Sequence, residues 1–102
     1  MPVREIRHPP ASELDLANIL RTIGDPIRLE IVRLLSDDRE RTCTAVGDVV
    51  GLPASTLSYH LRLLREAGVT RTRAEGTERH VSLRRDDLEQ TYPGLLEVLA
   101  AV

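Results

Sequence analysis

Between two apolar-patterned segments the chain reads Gly51-Leu52-Pro53, and this tripeptide constrains the fold more than any other stretch. Glycine can close a helix in the left-handed conformation, and Pro53 disfavours helix in the residue before it, so the flanking segments are separate helices joined by a tight turn. Val46, Val49 and Val50 give the first of them a short apolar face. The second begins near Ala54 or Ser55 and stops at Gly68, with Leu57, Leu61 and Leu64 at core spacing. Two short helices around a glycine-containing turn match a helix-turn-helix.

The remaining elements fall around this unit. Ser12 offers an N-cap for a helix carrying Leu16, Ile19, Leu20 and Ile23 and ending near Gly24. Asp25-Pro26 then caps and starts a second helix to about Leu35, where proline's missing N–H costs nothing. After the helix-turn-helix, alternation through Val69, Arg71 and Arg73 and again through 79–83, around a Glu75-Gly76 turn, predicts a β-hairpin over 69–83. Asp86 or Asp87 can cap a last helical segment broken or restarted at Pro93, with Leu95, Leu96, Leu99 and Val102 on its apolar face. The expected fold is α+β, mainly α: about five helices and one hairpin in one domain over 12–102, preceded by a flexible arm over 1–11.

At 102 residues without Phe or Trp, the core must be aliphatic, and a domain of this size often completes its apolar burial with a second subunit. Leu16 and Leu20 of the first helix, with Leu95, Leu96 and Leu99 of the last, are the expected homodimer interface. The N-terminus lacks the apolar run of a signal peptide and no stretch is long enough to span a membrane, so a cytoplasmic location is expected. Cys43 is the only cysteine, which excludes an internal disulfide and a zinc cluster built on several thiolates.

Charge is unevenly placed. Seven Arg against three Glu lie between Ser55 and Arg85, a surplus of four positive charges in a chain of net charge −2. A basic segment inside an acidic chain is the footprint of a localised nucleic-acid contact. Helical geometry turns Ser55, Tyr59, Arg62 and Glu66 away from the leucine stripe, with Thr56 and Ser58 on its flanks. Ser55 serves either as helix cap or as base contact, and Arg62 reads guanine or binds phosphate. In the hairpin, Arg71, Arg73 and Arg79 are the candidate contacts, with Arg71 and Arg73 on one strand face. His60 lies near the core edge as a packing or hydrogen-bonding residue, whereas His80 faces phosphate or solvent.

The strings IGDPIRLEIVRLL, LPASTLSYHLRLLREAGV and RAEGTERHVSL, spanning about Leu16 to Leu83 with the turns between them, resemble the ArsR/SmtB group of bacterial winged-helix repressors. That resemblance implies a homodimer on double-stranded operator DNA, released or altered by a small effector of unknown identity. Family members that sense metals through the third helix carry two Cys just before an Asp. Aligned on Asp48, those positions are Ala45 and Gly47 here, and no His follows His80 to supply the alternative site in the last helix. No metal or other cofactor is expected. Cys43 is either a small apolar filler or a redox-reactive thiol. Ser58 and His60 are only two residues apart on a helix and point in different directions, so no catalytic pair is expected and the chain reads as a non-enzyme. A winged-helix module for protein partnering is the alternative, and it leaves the basic segment unexplained.

Overall fold

The computed structural model describes residues 6–101. Six α-helices and a three-stranded antiparallel sheet form among them: α1 (Leu16–Ile23), α2 (Pro26–Leu34), β1 (Arg41–Thr42), α3 (Cys43–Val50), α4 (Ala54–Glu66), β2 (Thr70–Glu75), β3 (Glu78–Leu83), α5 (Arg85–Thr91) and α6 (Leu95–Ala101). A 3₁₀ turn over Ala11–Glu13 precedes α1, and another extends α2 over Leu35–Asp37. The sheet order is β1-β3-β2, so β3 is central.

Local chemistry accounts for most helix ends. Asp25 accepts hydrogen bonds from the Ile27 and Arg28 N–H groups and Pro26 takes the first turn of α2, as the sequence suggests. The α1 cap differs from expectation. Ser12 lies in the 3₁₀ turn, and Asp15 instead accepts the Asn18 N–H, because α1 starts only at Leu16. Such a cap contributes about 1 kcal/mol. Gly51, at φ 71°, closes α3 and sends the chain through Leu52-Pro53 into α4. Ser55 is not the cap of α4: the extended Pro53 occupies that position and no side chain bonds there. The hairpin turns at Gly76-Thr77, one residue later than expected, with Glu75 facing Glu78.

Ile19, Ile31, Val32, Leu35, Val46, Leu64, Val69, Val81, Leu88 and Leu96 are almost wholly buried in one aliphatic core. Leu96 and Leu99 are a correction. Their apolar face is covered within the subunit, where α6 packs on α2, and does not remain for a second chain. Leu95 is half-buried against the same core. Leu16 and Leu20, one turn apart on α1, are 39% and 47% exposed, and Val98 on α6 is 63% exposed.

Residues 1–5 of the expected arm lie outside the described residues, but the remainder is tied to the domain. The Thr72 N–H donates to His8 Nε2 (2.9 Å) and the buried Arg84 guanidinium to the Pro9 carbonyl (2.7 Å). An acceptor nitrogen must be unprotonated, and burial, helped by Arg84, Arg65 and Arg71, holds the His8 pKa below its ordinary 6.5. The unfolded chain therefore takes up this proton first. Stability from His8 is complete above about pH 6.5 and is lost as pH falls through the folded pKa, with a slope of at most about 1.4 kcal/mol per pH unit. Urea unfolding at pH 7.5 and 5.5 should show this loss, and His8→Gln, which keeps an acceptor without titrating, should remove that part of it.

Candidate nucleic-acid interface

Helix α4 is amphipathic along its length. Leu57, His60, Leu61 and Leu64 are buried, while Ser55, Thr56, Ser58, Tyr59 and Arg62 are exposed on the other side. The Arg62 guanidinium carbon stands 5.7 Å from the centre of the Tyr59 ring, an arrangement in which the ring face attracts the cation and holds both side chains outward. His60 is turned inward. Its Nδ1 lies 3.1 Å from Arg28 Nη1, and because a guanidinium can only donate, Nδ1 is the acceptor and the ring proton sits on Nε2.

Strand parity divides the hairpin arginines. Arg71 and Arg73 share the outer face of the sheet with His80 and Ser82, whereas Arg79, opposite Ala74, lies on the face that carries the buried Thr72 and Val81. The outer face is rich in acid. Arg73 donates to both oxygens of Glu40 at 2.8 and 2.6 Å and also reaches Glu75 at 3.3 Å. That guanidinium holds the Glu40 carboxyl below the usual carboxylate range. His80 sits within 3.3–3.7 Å of Glu40, Glu75 and Glu78, so it faces carboxylates, where the sequence reading left phosphate or solvent. Arg71 stands 3.6 Å from Asp87.

Arg71, Arg73, Arg84 and Arg85 thus all pair with carboxylates, leaving Arg62, Arg65 and Arg79 from the seven arginines of the basic segment. These three form no ion pair among the described residues, and they line one recess between α3, α4 and the hairpin with Cys43, Ser58, Leu61 and Thr72. Of the three wing candidates, Arg71 and Arg73 stand beside carboxylates on the outer face of the sheet, and Arg79 lies on the side of α4. Arg65 was not among the sequence candidates. Its position three residues beyond Arg62 on a helix was the available signal, obscured because the outward stripe was centred on Tyr59. Burial pushes the Cys43 thiol pKa up, against the pull of Arg79 and Arg65, so thiolate formation is disfavoured.

The family described as "Helix-turn-helix domain" matches residues 23–73. The uncharacterised HTH-type transcriptional regulator YceK of Bacillus subtilis is 40% identical over 84 residues, covering 81% of this chain and 84% of that protein. The transcriptional repressor PagR of Bacillus anthracis is 32% identical over 85 residues, 83% of this chain and 81% of PagR. Among solved structures, the homodimeric winged helix-turn-helix DNA-binding domain of Mb0332 from Mycobacterium bovis, described as a possible ArsR-family regulator, superposes with a TM-score of 0.70. It is 27% identical and the match covers 84% of this chain and 78% of that one. The chain belongs to the ArsR/SmtB family of winged helix-turn-helix transcriptional regulators. In this ArsR/SmtB regulator, α3 and α4 are the helix-turn-helix and β2–β3 the wing. The third-helix positions Ala45 and Gly47 carry no metal-ligating side chain, and the described residues contain no cluster of three or more His, Cys, Asp or Glu able to hold a metal ion. No helix among them is long and apolar enough to cross a membrane.

Proposed function

We propose that this regulator is a repressor that binds duplex operator DNA as a homodimer, with α4 in the major groove and Arg62, Arg65 and Arg79 against the phosphate backbone. The observation that carries the reading is the segregation of charge. Carboxylates take up every arginine of the basic segment except the three beside the exposed face of α4. Unpaired guanidinium groups next to an exposed helix are what backbone contact requires, and the short side chains of Ser55, Thr56 and Ser58 leave that helix room to approach base edges. A non-enzymatic role is supported by the geometry of Ser58 and His60: the serine is exposed while the histidine is buried with Nδ1 occupied by Arg28. Titration of duplex DNA at several salt concentrations tests the proposal. Affinity should fall as log K against log salt with a slope of about −0.9 per phosphate contact, and salt-independent or absent binding would favour a protein-partnering module.

The homodimer reading rests on Leu16 and Leu20, exposed on α1, together with Val98 on α6. Leu16→Glu with Leu20→Glu should give a folded monomer at micromolar concentration by light scattering, and weaker DNA binding through loss of the second half-site contact. Substituting Leu99 would not test this point, since a charge there would enter the subunit's own core. A native chain that runs as a monomer at that concentration would overturn the dimer.

A further inference from the structure

Arg28, half-buried on α2, forms no ion pair among the described residues and spends its guanidinium on neutral acceptors instead. Its Nε donates to the Thr22 carbonyl in the last turn of α1, where a helix leaves acceptors without partners of their own. Its Nη1 donates to His60 Nδ1, and its backbone N–H is anchored by the Asp25 cap. One planar fork therefore joins α1 and α2 to the inward side of α4, a task that suits a guanidinium because its donors point in fixed, divergent directions. The chain of contacts continues outward. The His60 and Tyr59 rings stand edge to face, with centroids 5.5 Å apart and planes at 68°, and the Tyr59 ring in turn carries the Arg62 guanidinium. His60 is 8% exposed and Tyr59 49%, so these contacts lead from the core to the reading face. An exposed tyrosine has several staggered rotamers open to it, and a neighbouring ring held in one orientation by a hydrogen bond favours one of them.

We infer that Arg28 is a positioning residue for sequence reading: through His60 it holds the Tyr59 ring, and with it the Arg62 guanidinium, in the outward pose that meets the bases. The inference rests on the DNA reading above. Arg28 acts from inside the subunit, since Nε and Nη1 are both engaged there. An arginine that only stabilised the packing of α2 on α4 would, when removed, weaken binding to every duplex alike. A positioning residue instead costs discrimination, and no more of it than Tyr59 supplies, so the two residues should be coupled rather than additive.

Two readouts on the full chain test it. The first is the aromatic proton spectrum of the free chain, in which Tyr59 and Tyr92 are the only tyrosines. Arg28→Met keeps the stem and removes the donors; it should move the Tyr59 ring signals toward those of an unstructured tyrosine and leave those of Tyr92 in place. The second is affinity for two duplexes, the tightest-binding sequence selected from a random pool and the unselected pool itself. Arg28→Met should weaken the selected duplex by about threefold or more and the pool by less than about twofold, and should cost nothing further in a Tyr59→Ala background. Should Arg28→Met fail to fold, His60→Phe, which keeps a ring and loses the acceptor, should give the same duplex pattern. Tyr59 signals that stay unchanged in a folded Arg28→Met chain overturn the inference. Equal losses in the native and Tyr59→Ala backgrounds also overturn it, marking Arg28 as structural alone. A native chain that binds neither duplex sinks the DNA reading and takes the reading role of Arg28 with it, while the ring signals still decide separately whether the fork holds Tyr59.

Discussion

Gly68→Ala should lower the unfolding free energy by about 2–5 kcal/mol, combining about 1–2 kcal/mol for a left-handed residue with a Cβ and about 1–3 kcal/mol for overpacking. Gly68 adopts φ +82°, and a Cβ built there would stand 2.2 Å from Leu14 Cδ2, with Pro9 Cγ and an Arg84 nitrogen 3.6 Å away. The Leu14 backbone is held where its carbonyl accepts the Tyr92 hydroxyl, so relief of the contact falls to rotation of the Leu14 side chain. The substitution therefore strains the backbone between α4 and β2 and crowds the Leu14 side chain. Urea unfolding measures it. A variant within about 0.5 kcal/mol of the native chain would mean that neither the left-handed backbone nor the contact with Leu14 is strained by a Cβ. Leu14→Ala made together with Gly68→Ala should recover part of the loss by removing the clash while leaving the backbone strain.

The second large effect concerns DNA. Arg62→Ala combined with Arg79→Ala should reduce the salt slope by up to about 1.8, two phosphate contacts at about 0.9 each. Arg73→Ala should change it by less than one contact, since the side chain it removes is already engaged by Glu40 and Glu75. Tyr59→Ala should act differently from both. Where the ring touches a base edge, it should cost about 1–3 kcal/mol on the operator, roughly 5- to 150-fold, with a smaller loss on random duplex. Gel-shift titrations of operator and random duplexes at three salt concentrations separate these outcomes. Should Arg73→Ala reduce the slope more than the Arg62–Arg79 double change, the ion pairs of the wing open on binding and the interface is centred on the hairpin instead.

Local signals were legible in the sequence wherever a single residue determines its own surroundings. Asp25-Pro26 starts α2, Gly51 ends α3, and Leu57, Leu61 and Leu64 orient α4, each through chemistry within one helical turn. Features set by distant partners were not legible. β1 is two residues inside a polar stretch and exists because Arg41 and Thr42 pair with Val81 and His80, which no local pattern announces. Leu96 and Leu99 showed an apolar face without revealing that α2 covers it. The state of each arginine was likewise hidden. Arg73 meets Glu40 from 33 positions away, so counting charges along the chain located the basic segment without identifying which charges stay free.

The short strand β1 also ties the wing to the helix-turn-helix. Thr42 pairs with His80 in the wing and its side chain then accepts the Ala45 N–H at the start of α3, so the wing and the helix-turn-helix share a residue with no slack between them. They behave as the fixed jaws of a calliper. With that joint in place, a change in the distance between wing and helix-turn-helix has to break the Thr42 pairing or its bond to Ala45. Substitutions that loosen this joint should therefore blur the spacing between half-sites that the pair accepts, even when every residue facing the bases is intact.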